Sequence, residues 1–177
     1  MLENKVMSFD TPTDLLFDQL RDLHSMESQL PESLLKIGQT TRYGPLRDVV
    51  MEQSDETLRR KVRLAAIFKK HDVSPGHDVC KAMAGLVEGG EDHLALVDDD
   101  ATRDLMVLAH CLRVHHYGIA GYDIAGRLAE RLGLVEDAEL LTVLMTEEEN
   151  AIGHLLALEP ELFKIACPSK SRATSRE

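Results

Sequence analysis

Two glutamates fall where an amphipathic helix should carry only apolar side chains. Leu16, Leu20, Leu23, Leu30 and Leu34 recur at spacings of three, four and seven, the stripe of a helix buried along one side, and Glu27 lies on that stripe. Glu148 interrupts a second stripe of Leu141, Leu144, Ala151 and Leu155. On a third segment Leu105, Leu108, Leu112, His115, Ile119 and Tyr122 share a face, which brings an imidazole to a corresponding depth. A fourth segment offers Glu52, Asp55 or Glu56. Burying a charge without a partner costs several kcal/mol. Groups placed this way need each other, a basic partner, water or a cation.

A dinuclear iron or manganese centre in a helical bundle draws on these side chains: four carboxylates and two histidines, with Glu-x-x-His pairs on two helices. The standard pairing is missing, since Glu148 is followed three residues later by Ala151 and Glu52 by Asp55. A differently built site could use the neighbouring imidazoles of His115 and His116, but adjacent helical residues point about 100° apart, so at most one faces the centre squarely. The candidate ligands are therefore Glu27, Glu56, His115, His116 and Glu148, for iron, manganese or another divalent metal. Against this stands a polar core satisfied by hydrogen bonds and water.

Other signals are weaker. His24, His71, His77, His93 and His154 are scattered and suit surface or capping roles. Glu147, Glu148 and Glu149 form an acidic run of the kind that usually faces solvent. Cys111 reads as a small buried hydrophobe, since no base is fixed beside it. No phosphate-binding glycine loop and no Ser-His-Asp constellation is present, and no catalytic residue is assigned.

The elements that would position these groups are helices. Thr11 as N-cap, Pro12 at the first helical position and Asp14 in the first turn open helix one. Pro31 removes the helical partner of the Glu27 carbonyl and predicts a kink there. Gly38 to Gly44 is a short connection, and Pro45 opens helix two, which runs to about His71 with Val49, Val50, Leu58, Val62, Leu64, Ile67 and Phe68 as its apolar positions. A link of nearly 30 residues follows. It carries a short helix from Cys80 to about Val87, which Gly89 and Gly90 should stop. Helix three spans about Ala101 to Leu132, with Gly133 as its C-cap, and helix four spans about Glu136 to Leu158, ending before Pro160. Small residues from Gly118 to Gly126 allow close helix approach, either inside the bundle or across an interface with a partner.

Composition agrees. The 177 residues are one domain's worth, 44% hydrophobic and 29% charged with no Trp, so Leu, Ala, Met and Val must fill a helical interior. A net charge of −11 argues against nucleic acid and anionic membranes as partners. No apolar run approaches the roughly 20 residues that span a bilayer. The first ten residues lack the order of a signal peptide, and Cys80, Cys111 and Cys167 show no CxxC spacing, which together suggest reduced thiols in a cytoplasm. The expected organisation is a flexible segment at 1–10, an all-α antiparallel four-helix bundle at 11–164 whose long crossover between helices two and three carries the extra helix, and a disordered tail at 165–177.

Four stretches carry a family resemblance: LRDLHSMESQL from Leu20, CKAMAGLVEGGE from Cys80, VHHYGIAGYDIAGRLAERLGL from Val114 and EEENA from Glu147. Over about residues 14 to 158 the chain resembles the YciE/YciF-type ferritin-like stress proteins. The resemblance implies a ferritin-like bundle, a homodimer, a bacterial stress role and, in some members, a dinuclear metal centre. Glu27, Glu56 and Glu148 match acidic positions of that family. Its helix-three pattern Glu-His-Tyr-Glu is replaced here by His115, His116, Tyr117 and Gly118, its helix-two His by Gln53, and its helix-four Asp by Ile152. Losing carboxylates in one place should sharply weaken binding of a hard divalent ion. The reading that follows is a dimeric stress-associated module with a degenerate or altered metal site and no established catalysis. The alternative is a di-iron or di-manganese protein that handles oxygen or peroxide.

Overall fold

The computed structural model describes residues 10–168, and among them every regular element is an α-helix. There are five: α1 (Pro12–Thr40), α2 (Gly44–Lys70), α3 (Lys81–Ala95), α4 (Asp100–Arg131) and α5 (Val135–Ala166). The most extensive packing joins α4 to α5 and α1 to α2; α1 also packs on α4 and α2 on α5, while α3 rests on α1 and α4.

The start of α1 follows its local signals. The Thr11 hydroxyl accepts from the Asp14 amide, and the Asp14 carboxylate accepts from the Thr11 amide at 2.9 Å, a reciprocal cap. The stripe Leu16, Leu20, Leu23, Glu27, Leu30 and Leu34 is buried along its whole length, as is Leu141, Leu144, Glu148, Ala151 and Leu155 on α5. The α1 helix continues through Pro31, whose carbonyl accepts from the Ser54 hydroxyl of α2 at 3.0 Å. The turn into α2 is tied to α4 by Asp104, which accepts from the amides of Arg42 at 2.9 Å and Tyr43 at 2.7 Å. Asp137 does the same at the opposite junction of α2 and α5, accepting from Lys70 at 3.0 Å and meeting His71 at 2.6 Å.

Several predicted boundaries change. The connection expected from Gly38 to Gly44 narrows to 41–43, because α1 runs on to Thr40 and α2 begins at Gly44. The short helix expected to stop at Gly89 and Gly90 runs on to Ala95. Gly90 is there for contact: a Cβ at that position would lie 2.1 Å from the His110 ring of α4, so only a glycine lets α3 lie down on it. The last helix passes Pro160 and ends at Ala166. Most of the segments predicted to be flexible, 1–10 and 165–177, lie outside the described residues; within them α5 extends over Ile165 and Ala166. On α2, Leu58 and Val62 are 48% and 69% exposed rather than inward. Its true inner stripe is Leu46, Val50, Gln53, Thr57, Arg60, Leu64 and Ile67, an unbroken alternation of four and three.

Candidate functional site

That α2 stripe delivers an arginine to the interior. Glu27 from α1, Arg60 from α2 and Glu148 from α5 are 0% exposed, and His115 and Tyr122 from α4 are 1% exposed. Arg60 lies between the two carboxylates. Its Nε donates to Glu27 Oε1 at 2.8 Å, and its Nη2 stands 3.2 Å from Glu148 Oε1. The Tyr122 hydroxyl donates to the same Glu27 oxygen at 2.6 Å. His115 Nδ1 meets Glu148 Oε2, and its Nε2 lies 3.0 Å from Gln53 Oε1. Gln53 is fixed in that orientation because its amide nitrogen donates to the Ala151 carbonyl of α5 at 3.4 Å. Six side chains from four helices thus form one continuous polar cluster.

Electrostatics explain why the cluster is built around a cation. Burial opposes the charge on Arg60, but the carboxylates of Glu27 and Glu148 outweigh it and raise its pKa above the ordinary value. Two carboxylates against one guanidinium leave a surplus negative charge, which a retained proton cancels. Burial pushes the Glu27 carboxyl up to about 8; Arg60 opposes the rise, Glu148 adds to it and Tyr122 opposes it. Burial and the nearby Glu27 likewise hold the Tyr122 phenol well above its usual range. His115 lies between Glu148 Oε2 and Gln53 Oε1, with one oxygen at each ring nitrogen.

The five candidate ligands do not come together. Glu27, His115 and Glu148 join the cluster, whereas Glu56 is half-buried and His116 is exposed, and neither takes part. Among the described residues no group of three or more His, Cys, Asp or Glu side chains is arranged to hold a metal ion. The position between Glu27 and Glu148 that a cation would take is filled by a guanidinium, so the residues present fit an internal ion pair and not a dinuclear metal centre. Gly118 contributes to that packing. A Cβ there would lie 3.2 Å from the Glu148 carboxyl and 3.2 Å from the Met26 methyl, leaving little room for a further acidic side chain. Gly121 is likewise close to Leu23, at 2.8 Å for an added Cβ, so these two small residues serve packing within the chain.

Sequence reasoning missed Arg60 because it sits in a basic run, Arg59 to Arg63, that resembles a solvated face. The signal was present: with Gln53 and Thr57 accepted as inward, the next position of the stripe is 60. Cys111 is buried as expected, and burial pushes its thiol up to about 12, away from nucleophilic use. His110 was not singled out, yet it is buried beneath α3.

A protein-family model described as a domain of unknown function, DUF892, matches residues 11–166. Protein YciF of Escherichia coli strain K12 is 28% identical over 144 residues, covering 81% of this chain and 87% of that protein. The crystal structure of the E. coli stress protein YciF superposes with a TM-score of 0.84 at 27% identity, covering 88% of this chain and 98% of that one. YcfI from Rhodopseudomonas palustris, provisionally described as a structural protein, superposes with a TM-score of 0.81 at 28% identity over 86% of this chain and 96% of that one. None of the described helices is long and apolar enough to cross a membrane.

Proposed function

The chain belongs to the DUF892 family, and from that premise we propose that it is a ferritin-like four-helix module of the YciF stress type, cytoplasmic and homodimeric, with a structural rather than a catalytic interior. In this reading α1, α2, α4 and α5 are the bundle, and the 80–99 region carrying α3 is the crossover between its second and third members. The observation that carries the reading is Arg60, held between Glu27 and Glu148 with no side chain of the three exposed. A centre that handles oxygen or peroxide needs an open coordination position and a route to it. Here the position is taken by a protein cation whose own ion pairs join α2 to α1 and α5.

We take the outer groove of α4 and α5 as the dimer face: Gly126, Val135, Ala138 and Val143 line it beside Asp123, Arg127, Glu130 and Glu139, and Val135 and Val143 are exposed. Two measurements test the proposal on the purified full chain. Ferrous iron added in air should produce no protein-dependent optical change and no oxygen uptake above buffer, and sedimentation should give a dimer. Two iron or manganese ions retained per chain, lost in Glu27→Ala, would overturn the structural reading; a monomer at every concentration would remove the dimer from it.

A further inference from the structure

We infer that Arg60 is a tethered cation that excludes metal from this interior, and that removing its guanidinium alone turns the Glu27–Glu148 pair into a divalent-cation site. The inference rests on the metal-free reading above and goes beyond it by assigning the exclusion to one side chain.

The geometry points this way because the guanidinium satisfies its cage incompletely. Among the described residues, Glu27 Oε2, Arg60 Nη1 and Nη2, and Glu148 Oε1 are buried without an aligned hydrogen-bond partner, although Nη2 and Glu148 Oε1 stand as an ion pair. A planar fork suits one carboxylate approached edge-on. Shared between two carboxylates on different helices, it leaves the second oxygen of Glu27 unfilled. A spherical divalent ion has no such directional limit and carries twice the charge. It would take one oxygen from each carboxylate and complete its shell with water, as small hard cations do when only one or two carboxylates are available. Removing the guanidinium leaves room for that water. With Arg60 in place, the same ion would meet a positive charge held within 3.2 Å of both carboxylates. Desolvation strengthens this repulsion, because the interior screens charge far less than water.

The closing experiment compares the full-length wild type with Arg60→Met, which keeps an unbranched apolar stem without the charge, and with Arg60→Met/Glu148→Gln. Each is dialysed to equilibrium against manganese(II) or zinc(II), metal per chain is measured, and thermal melting is followed with and without the ion. The wild type should retain no stoichiometric metal. Arg60→Met should retain one ion per chain, at least about tenfold more tightly than the double variant, and its melting temperature should rise with the ion. If Arg60→Met does not fold in metal-free buffer, recovery of helical structure on adding manganese(II) or zinc(II) counts as the expected result. Failure to recover with either ion overturns the inference. A folded Arg60→Met that retains no metal also overturns it, and leaves the metal-free reading intact. Stoichiometric uptake by the wild type overturns both.

Discussion

Arg60 Nε and Glu27 Oε1 are 2.8 Å apart, and neither side chain reaches solvent. A pair in that position is more a constraint than a source of net stability, because the cost of drying both ions offsets much of their attraction. Its force is felt when one partner is removed and the buried polar groups around it lose the hydrogen bonds and charge that it supplied.

Arg60→Ala or Glu27→Ala should each destabilise the protein by about 3–5 kcal/mol. A second arginine of α2 supplies the control. Arg63 pairs with both oxygens of Glu147, but those side chains are 34% and 33% exposed, so Arg63→Ala should cost about 1 kcal/mol or less. Urea titrations of the three variants rank them. Equal losses at Arg60 and Arg63 would mean the interior pair is solvated in solution.

Two adjacent glycines of α3 should respond in opposite directions. A Cβ at Gly89 meets nothing within 4 Å, so Gly89→Ala should stabilise by about 0.5–1 kcal/mol through helix propensity. At Gly90 the same methyl runs into the His110 ring, and Gly90→Ala should destabilise by about 1–3 kcal/mol as α3 is pushed off α4. Thermal melts of both variants check the pair. A stable Gly90→Ala would show that α3 is not seated on that imidazole.

Proton linkage gives the interior a measurable slope. The folded-state pKa of Glu27 is raised from 4.5 to about 8, so the folded protein binds the extra proton across that window. Its contribution is fully present below pH 4.5 and is lost as pH rises through about 8. His110 acts in the reverse sense. Burial chiefly, then Arg113 and His93, lower its pKa from 6.5, so its contribution is present above pH 6.5 and fades as pH falls through its folded value. His24, also lowered chiefly by burial, acts with it. Stability measured by denaturant should therefore decline between pH 6.5 and 8, where only Glu27 of these three acts, and Glu27→Gln should flatten that limb. A wild-type profile that rises over this interval would contradict the assignment.

Asp104 of α4 pins the α1–α2 turn. Asp104→Ala strips the acceptor from the amides of Arg42 and Tyr43, at a cost of about 1–3 kcal/mol. Hydrogen exchange offers a local readout: the amides of residues 42 and 43 should lose protection before the core of α4 does.

Helix identity and much of the inner surface could be read from the sequence, because an amphipathic helix repeats its signal over many turns. The α1 and α5 stripes, the reciprocal cap at Thr11, and the burial of Glu27 and Glu148 follow from spacing and local chemistry alone. The absence of Glu-x-x-His pairs is likewise a property of the chain. What the tertiary structure decided is which partner answers each buried charge. Gly89, Gly90 and Pro160 break helices in isolation, but here neighbouring packing outweighs roughly 1–3 kcal/mol of local penalty, a balance no single segment reveals. Arg60 is the sharpest case. By type and by its basic neighbours it belongs in water, and only the convergence of α1, α2, α4 and α5 puts two carboxylates within its reach. Charge burial is decided by pairing, and pairing across helices is a property of the assembled fold rather than of local sequence.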